Sequence, residues 1–85
     1  MDIHFTERAQ RQYNKLAPEL KKKADKQLLL LRQNLKHPSL NVKKMGGSER
    51  YEARVGFHFR LSFLLEGNSI YILSIGTHDV GLGKK

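Results

Sequence analysis

Phe57, Phe59, Leu61, Phe63 and Leu65 alternate along the chain, with His58, Arg60 and Ser62 between them, in the clearest period-two pattern of the sequence. Such alternation predicts a strand with one buried face and one wet face. Arg50 to Val55 repeats the pattern, with Tyr51, Ala53 and Val55 on one side and Glu52 and Arg54 on the other. Ile70 to Ile75 is a largely apolar run of the kind expected of a central strand, and Gly67-Asn68 marks the turn before it. Val42 to Met45 reads as a weak strand closed by the turn Gly46-Gly47-Ser48, and Asp2 to Phe5 as a short opening strand.

Between the opening strand and the others the period changes to that of a helix. Thr6 fits the N-cap of a first helix reaching about Leu16, with Ala9, Tyr13 and Leu16 on its apolar side. Pro18 suits the first position of a second helix, since its missing amide hydrogen would have no partner there anyway. Leu20, Ala24, Leu28, Leu31 and Leu35 then recur at three- and four-residue spacing, and His37-Pro38 ends the pattern. Lys21, Lys22, Lys23, Lys26 and Arg32 fall mostly on the opposite side, which reads as a solvated face. Strand, two helices and then short-linked strands predict an α+β fold: two N-terminal helices packed on one face of a small, mainly antiparallel sheet of four to five strands. The sheet face they leave uncovered carries Glu52, Arg54, His58 and Arg60.

Eighty-five residues make one domain, 1–85, with no room for a second module. The absence of cysteine removes disulfides and thiolate metal sites, so ordinary packing must stabilise the fold, and a reducing cytoplasm suits it. No signal-peptide core or membrane-spanning run is visible, so no membrane partner is expected. Sixteen Lys and Arg against eight Asp and Glu leave a net charge of +8, which makes a polyanion the natural partner.

The four histidines, His4, His37, His58 and His78, lack the spacing of metal ligands, and neither Gly46-Gly47 nor Gly81-Leu82-Gly83 has the strand-to-helix context of a phosphate loop. No cofactor is therefore expected. What remains is Lys43, Lys44, Glu52, Arg54, His58, Arg60 and His78. Arg54 and Arg60 on neighbouring strands can hold a phosphate through paired guanidinium hydrogen bonds and stabilise the charge that develops on it. His78, which Asp79 can orient, is the candidate to move a proton beside it. The bland reading of the same residues is a solvent-side ion pair between Glu52 and the arginines, with Lys43 and Lys44 as solvated edge-strand charges.

The order of elements, together with Lys43-Lys44-Met45-Gly46, Tyr51-Glu52-Ala53-Arg54-Val55, Phe59-Arg60-Leu61-Ser62-Phe63 and Ile75-Gly76-Thr77-His78-Asp79, resembles the RelE/ParE superfamily of type II toxin–antitoxin toxins over nearly the whole chain. The resemblance implies a metal-independent ribonuclease that enters the ribosome and cleaves mRNA, activating the ribose 2′-hydroxyl against the adjacent phosphate. It implies catalytic roles for Arg54, Arg60 and His78, with Glu52 in support; His58 and Asp79 are further supporting candidates by their own positions. It also implies RNA contacts at Lys43 and Lys44 and a cognate antitoxin, acidic and partly disordered when free. After His78 the chain carries no aromatic residue, where many members of the superfamily have one. Two other outcomes stay open: the ParE branch, whose members inhibit DNA gyrase by protein contact, and an RNA-binding toxin remnant that cuts nothing.

Overall fold

The computed structural model of the chain describes residues 1–47 and 49–77. Its elements run β1 (Asp2–Phe5), α1 (Glu7–Asn14), α2 (Pro18–Gln33), a 3-10 turn (Pro38–Leu40), β2 (Lys43–Lys44), β3 (Arg50–Arg54), β4 (Phe59–Glu66) and β5 (Ser69–Thr77). The strands form one sheet in the order β1-β5-β4-β3-β2, antiparallel except for β1, which pairs parallel with β5. The sheet is thus mixed, because a chain that leaves β1 into two helices returns to its neighbour only after β2, β3 and β4 are laid down.

Thr6 caps α1 as its sequence position predicts: its hydroxyl oxygen accepts from the Ala9 amide at 3.1 Å. The same hydroxyl donates to the Leu73 carbonyl at 3.1 Å and so ties the helix start to β5. Both helices end earlier than the apolar spacing suggests, α1 at Asn14 and α2 at Gln33. Asn34 leaves the helix with extended backbone, and its side chain accepts from the Lys36 amide, the local bond by which Asn competes with helix.

The core lies between the helices and one face of the sheet. Ala9, Ala24, Leu31 and Leu40 meet Ala53, Leu61, Phe63, Ile70, Ile72 and Ile75, all fully buried. Tyr51 stacks on its cross-strand partner Phe63 at 5.6 Å and extends this layer towards β2. On β5 a bulge disturbs the alternation: Ser62 pairs with Ser74 while Phe63 pairs with Ile72, so Leu73 is the extra residue. That insertion lets Ile70, Ile72 and Ile75 all reach the core and explains why the run showed no clean period. β5 is central, as its composition predicts, but one of its faces stays uncovered.

Two strand limits differ from the sequence reading. β4 starts at Phe59, not Phe57, because Val55 and Gly56 both donate to the Phe59 carbonyl and close a tight connection over residues 56–58. The weak strand at Val42 to Met45 contracts to Lys43–Lys44. Among the described residues, no helix is long and apolar enough to cross a membrane.

Candidate functional site

The uncovered face is ordered in rows by strand register. Lys43, Glu52, Ser62 and Ser74 form one row across β2, β3, β4 and β5. Arg54, Arg60 and Gly76 form the next. Residues directly opposite in an antiparallel pair share a face with Cβ atoms roughly 5 Å apart, and like charges so placed repel. Arg54 and Arg60 are such a pair. Gly76 beyond them has no side chain and so adds no group to this row.

Arg60 leans diagonally towards Glu52, with Nη1 at 3.8 Å from Oε1, and both side chains are largely sheltered, at 24% and 13% exposed. At that distance the pair attracts but does not hydrogen-bond. Nη1 is itself shielded from solvent and makes no hydrogen bond among the described residues. A sheltered guanidinium nitrogen without an acceptor costs about 1–3 kcal/mol, and a catalytic role or a bound ion is among the reasons native structures carry one. Two arginines opposite each other on one face, one with a guanidinium nitrogen to spare, can together receive a tetrahedral oxyanion.

The site has a built floor and a tether that the sequence did not reveal. Ser62 and Ser74 are buried at 5% and 4% exposed and share a hydrogen bond of 2.6 Å, so two hydroxyls satisfy each other beneath the charged layer. From the helix side, the Gln27 amide nitrogen donates to the Arg54 carbonyl at 2.9 Å and to the Ser39 carbonyl at 3.2 Å. That bond satisfies the outer edge of β3 beyond the two residues of β2 and fixes the backbone that carries Arg54. Gln27 lies in the lysine-rich helix among residues read as core or solvated, and its one signal was a polar residue within the leucine repeat.

The structure separates other residues that the sequence grouped together. Lys43 faces Glu52 across β2 and β3, but Lys44 pairs with Tyr51 and so belongs to the opposite side of the sheet. His58 precedes β4 and lies in the 56–58 connection, exposed, with its ring edge-on to Phe57 at 4.8 Å, so strand alternation does not aim it at Arg60. Phe57 itself is 83% exposed rather than core. His78 and Asp79 lie outside the described residues; the last of these is Thr77, opposite Phe59 and next to the Arg60–Gly76 row.

No protein-family model matches the sequence, and no curated relative does. Solved structures match over nearly the full length. A YoeB/ParE toxin from Agrobacterium tumefaciens superposes with a TM-score of 0.80 at 10% identity, covering 92% of this chain and 99% of its own. The RelBE toxin–antitoxin complex from E. coli gives 0.74 at 19% identity, covering 89% and 94%. The chain has the RelE/ParE toxin fold. YafQ from E. coli matches likewise, with a TM-score of 0.76, 21% identity and coverage of 93% and 94%. Identities this low mean that the RelE/ParE fold is kept here by its pattern of buried positions rather than by shared residues, and fold alone does not fix chemistry.

Proposed function

We propose that the chain is the toxin of a toxin–antitoxin pair and cleaves mRNA on the ribosome without a metal. The observation that carries this reading is the Arg54–Arg60 pair on the uncovered face, with the Nη1 donor of Arg60 making no hydrogen bond among the described residues. The guanidinium groups hold the scissile phosphate and stabilise its pentacoordinate state, a type of charge stabilisation worth roughly 10²–10³ in rate per donor. The 2′-oxygen bonds to phosphorus, the bond from phosphorus to the 5′-oxygen breaks, and a 2′,3′-cyclic phosphate and a 5′-hydroxyl leave. Glu52, beside Arg60, takes the proton from the 2′-hydroxyl, and His78 returns one to the 5′-oxygen. Lys43, in the same row as Glu52, adds attraction for the RNA backbone.

The net charge of +8 supports an acidic antitoxin that orders as it covers the uncovered face. RelBE, which shares the fold, is by its name a toxin–antitoxin complex.

The test is expression of the wild-type chain and its Arg60→Ala and His78→Ala variants, with growth followed and mRNA 5′ ends mapped. Growth arrest and new mRNA ends from the wild type alone are the expected result, with cleavage by Arg60→Ala down on the order of 10²-fold or more. Equal growth arrest by all three with intact mRNA overturns the nuclease reading and points to a protein target such as gyrase.

A further inference from the structure

The uncovered face continues past the arginines to β1. His4 and Tyr71 are register partners on β1 and β5, and their rings stack at 5.0 Å between centroids with 21° between planes. Aromatic rings on a half-wet sheet are the usual seat for unpaired bases, and each stacked base is held by a contact that is lost when the ring is removed. The stack with Tyr71 uses one face of the imidazole. His4 is exposed and also lines a cavity of about 540 Å³ between β1 and α2, together with Asp2, Asp25, Leu28, Leu29 and Arg32.

The walls of this cavity differ in chemistry from the arginine site. Leu28 and Leu29 supply apolar sides, and Leu29 is 52% exposed, one of the few large apolar side chains left in solvent. Asp25 is held in place by the Tyr13 hydroxyl, which donates to Oδ1 at 2.6 Å and leaves Oδ2 as an acceptor. Asp2 adds a second carboxylate and Arg32 a cation. A flat ring, apolar sides, fixed carboxylate acceptors and one guanidinium are what a nucleotide needs when its base carries adjacent N–H donors. Guanine is that base: its N1–H and N2 amino group lie side by side. Adenine and cytosine set an acceptor next to their amino group, which a carboxylate repels.

Resting on the RNA-cleaving reading above, we infer that the cavity between β1 and α2 is a guanine subsite for the RNA. The base stacks on His4, which Tyr71 backs, the Asp25 and Asp2 carboxylates accept from its N–H edge, and Arg32 attracts the nucleotide phosphate. Tyr71 pairs with Leu64, four residues along β4 from Arg60, so the stack lies roughly 13 Å along the sheet from the phosphate pair. A few nucleotides of extended strand cover that span. The cavity therefore reads a base away from the cut and selects its position.

The experiment is titration of the full chain with 5′-GMP, AMP, CMP and UMP, followed by NMR at the His4 ring and the Leu28 and Leu29 methyls. GMP is expected to shift these signals and to half-saturate at a concentration on the order of tenfold below the other three. His4→Ala weakens GMP on the order of tenfold while His4→Phe keeps it, and Asp25→Asn removes the preference for GMP. Glu19→Gln, at an exposed position away from both sites, leaves all of this unchanged. Equal affinity for the four nucleotides, absence of shifts at these signals, or unchanged GMP binding by His4→Ala overturns the subsite. The two readings fail separately: RNA cleavage that depends on Arg60 with nothing binding in the cavity removes only the subsite. GMP bound in the cavity of a protein that leaves RNA uncut removes only the nuclease.

Discussion

The two faces of the sheet are made by the same strands and do opposite work. On β4, Leu61 and Phe63 point into a fully buried layer, while Arg60 and Ser62, one residue away, point to the other side. The covered face satisfies itself: its residues are apolar, and any of them is replaceable by another that fills the volume. The uncovered face is polar: two arginines stand opposed, and one sheltered guanidinium nitrogen makes no hydrogen bond among the described residues. Strand geometry thus lets a domain of 85 residues set a charged site directly on the back of its buried core.

The contrast breaks most visibly at Phe63. Phe63→Ala empties the centre of the covered layer and is expected to cost about 3–5 kcal/mol in urea unfolding. Arg60→Ala, on the other face, is expected to lower the proposed cleavage on the order of 10²-fold or more but to move the unfolding midpoint little. A Phe63→Ala loss no larger than that of Arg60→Ala would mean the two faces share the burden of stability.

Gln27 sharpens the comparison because it reaches from the helix side to the backbone of the site. Gln27→Leu leaves the Arg54 carbonyl without its donor and is expected to cost about 1–3 kcal/mol. It also weakens RNA cleavage, whereas a purely structural residue would change the unfolding curve and leave the rate of the folded protein intact. Ser62 and Ser74 give a smaller effect of a different form. Ser62→Ala orphans one buried hydroxyl, at about 1 kcal/mol or somewhat more, and the double change to alanine costs less than the two single losses added, because no hydroxyl is left unpaired.

The smallest expected effect is at Tyr13, which packs edge-on to Phe5 at the margin of the covered layer. Its hydrogen bond to Asp25 raises the phenol above the ordinary tyrosine value of 10.0, with burial and the carboxylate charge acting in the same direction. A raised value in the folded state means the bond contributes fully below the unfolded value and is lost as pH rises through the folded one. Stability therefore falls slightly in the alkaline range, and Tyr13→Phe removes that component of the pH dependence; an unchanged alkaline limb in Tyr13→Phe would show that the bond carries no linkage.

The parts of the molecule legible in the sequence are those set by local rules. Thr6 is the cap it reads as, Pro18 opens α2, and Phe59 to Leu65 alternate as a half-buried strand must. That Arg54 and Arg60 share a face on neighbouring strands was also legible from the alternation; that they stand directly opposite each other comes from the structure. Where the reading failed, something non-local intervened. Phe57 and His58 continue the alternation in sequence, but Val55 and Gly56 take the Phe59 carbonyl and turn those two residues outwards. Lys44 follows Lys43 in sequence yet falls on the other face, because neighbours on a strand always do.

By itself the sequence determined the α+β class, the two helices, the covered face and the two arginines on the other one, since period, caps and turn residues act over a few positions. Only the tertiary structure decided that β1 runs parallel beside β5, that a bulge at Leu73 turns three isoleucines inward, and that Gln27 holds the strand carrying Arg54. It alone brought His4 against Tyr71 and set both beside a cavity walled by α2. These contacts join residues far apart along the chain, and no local preference encodes them: they form because burying the apolar face of five strands under two helices leaves few ways to close the sheet.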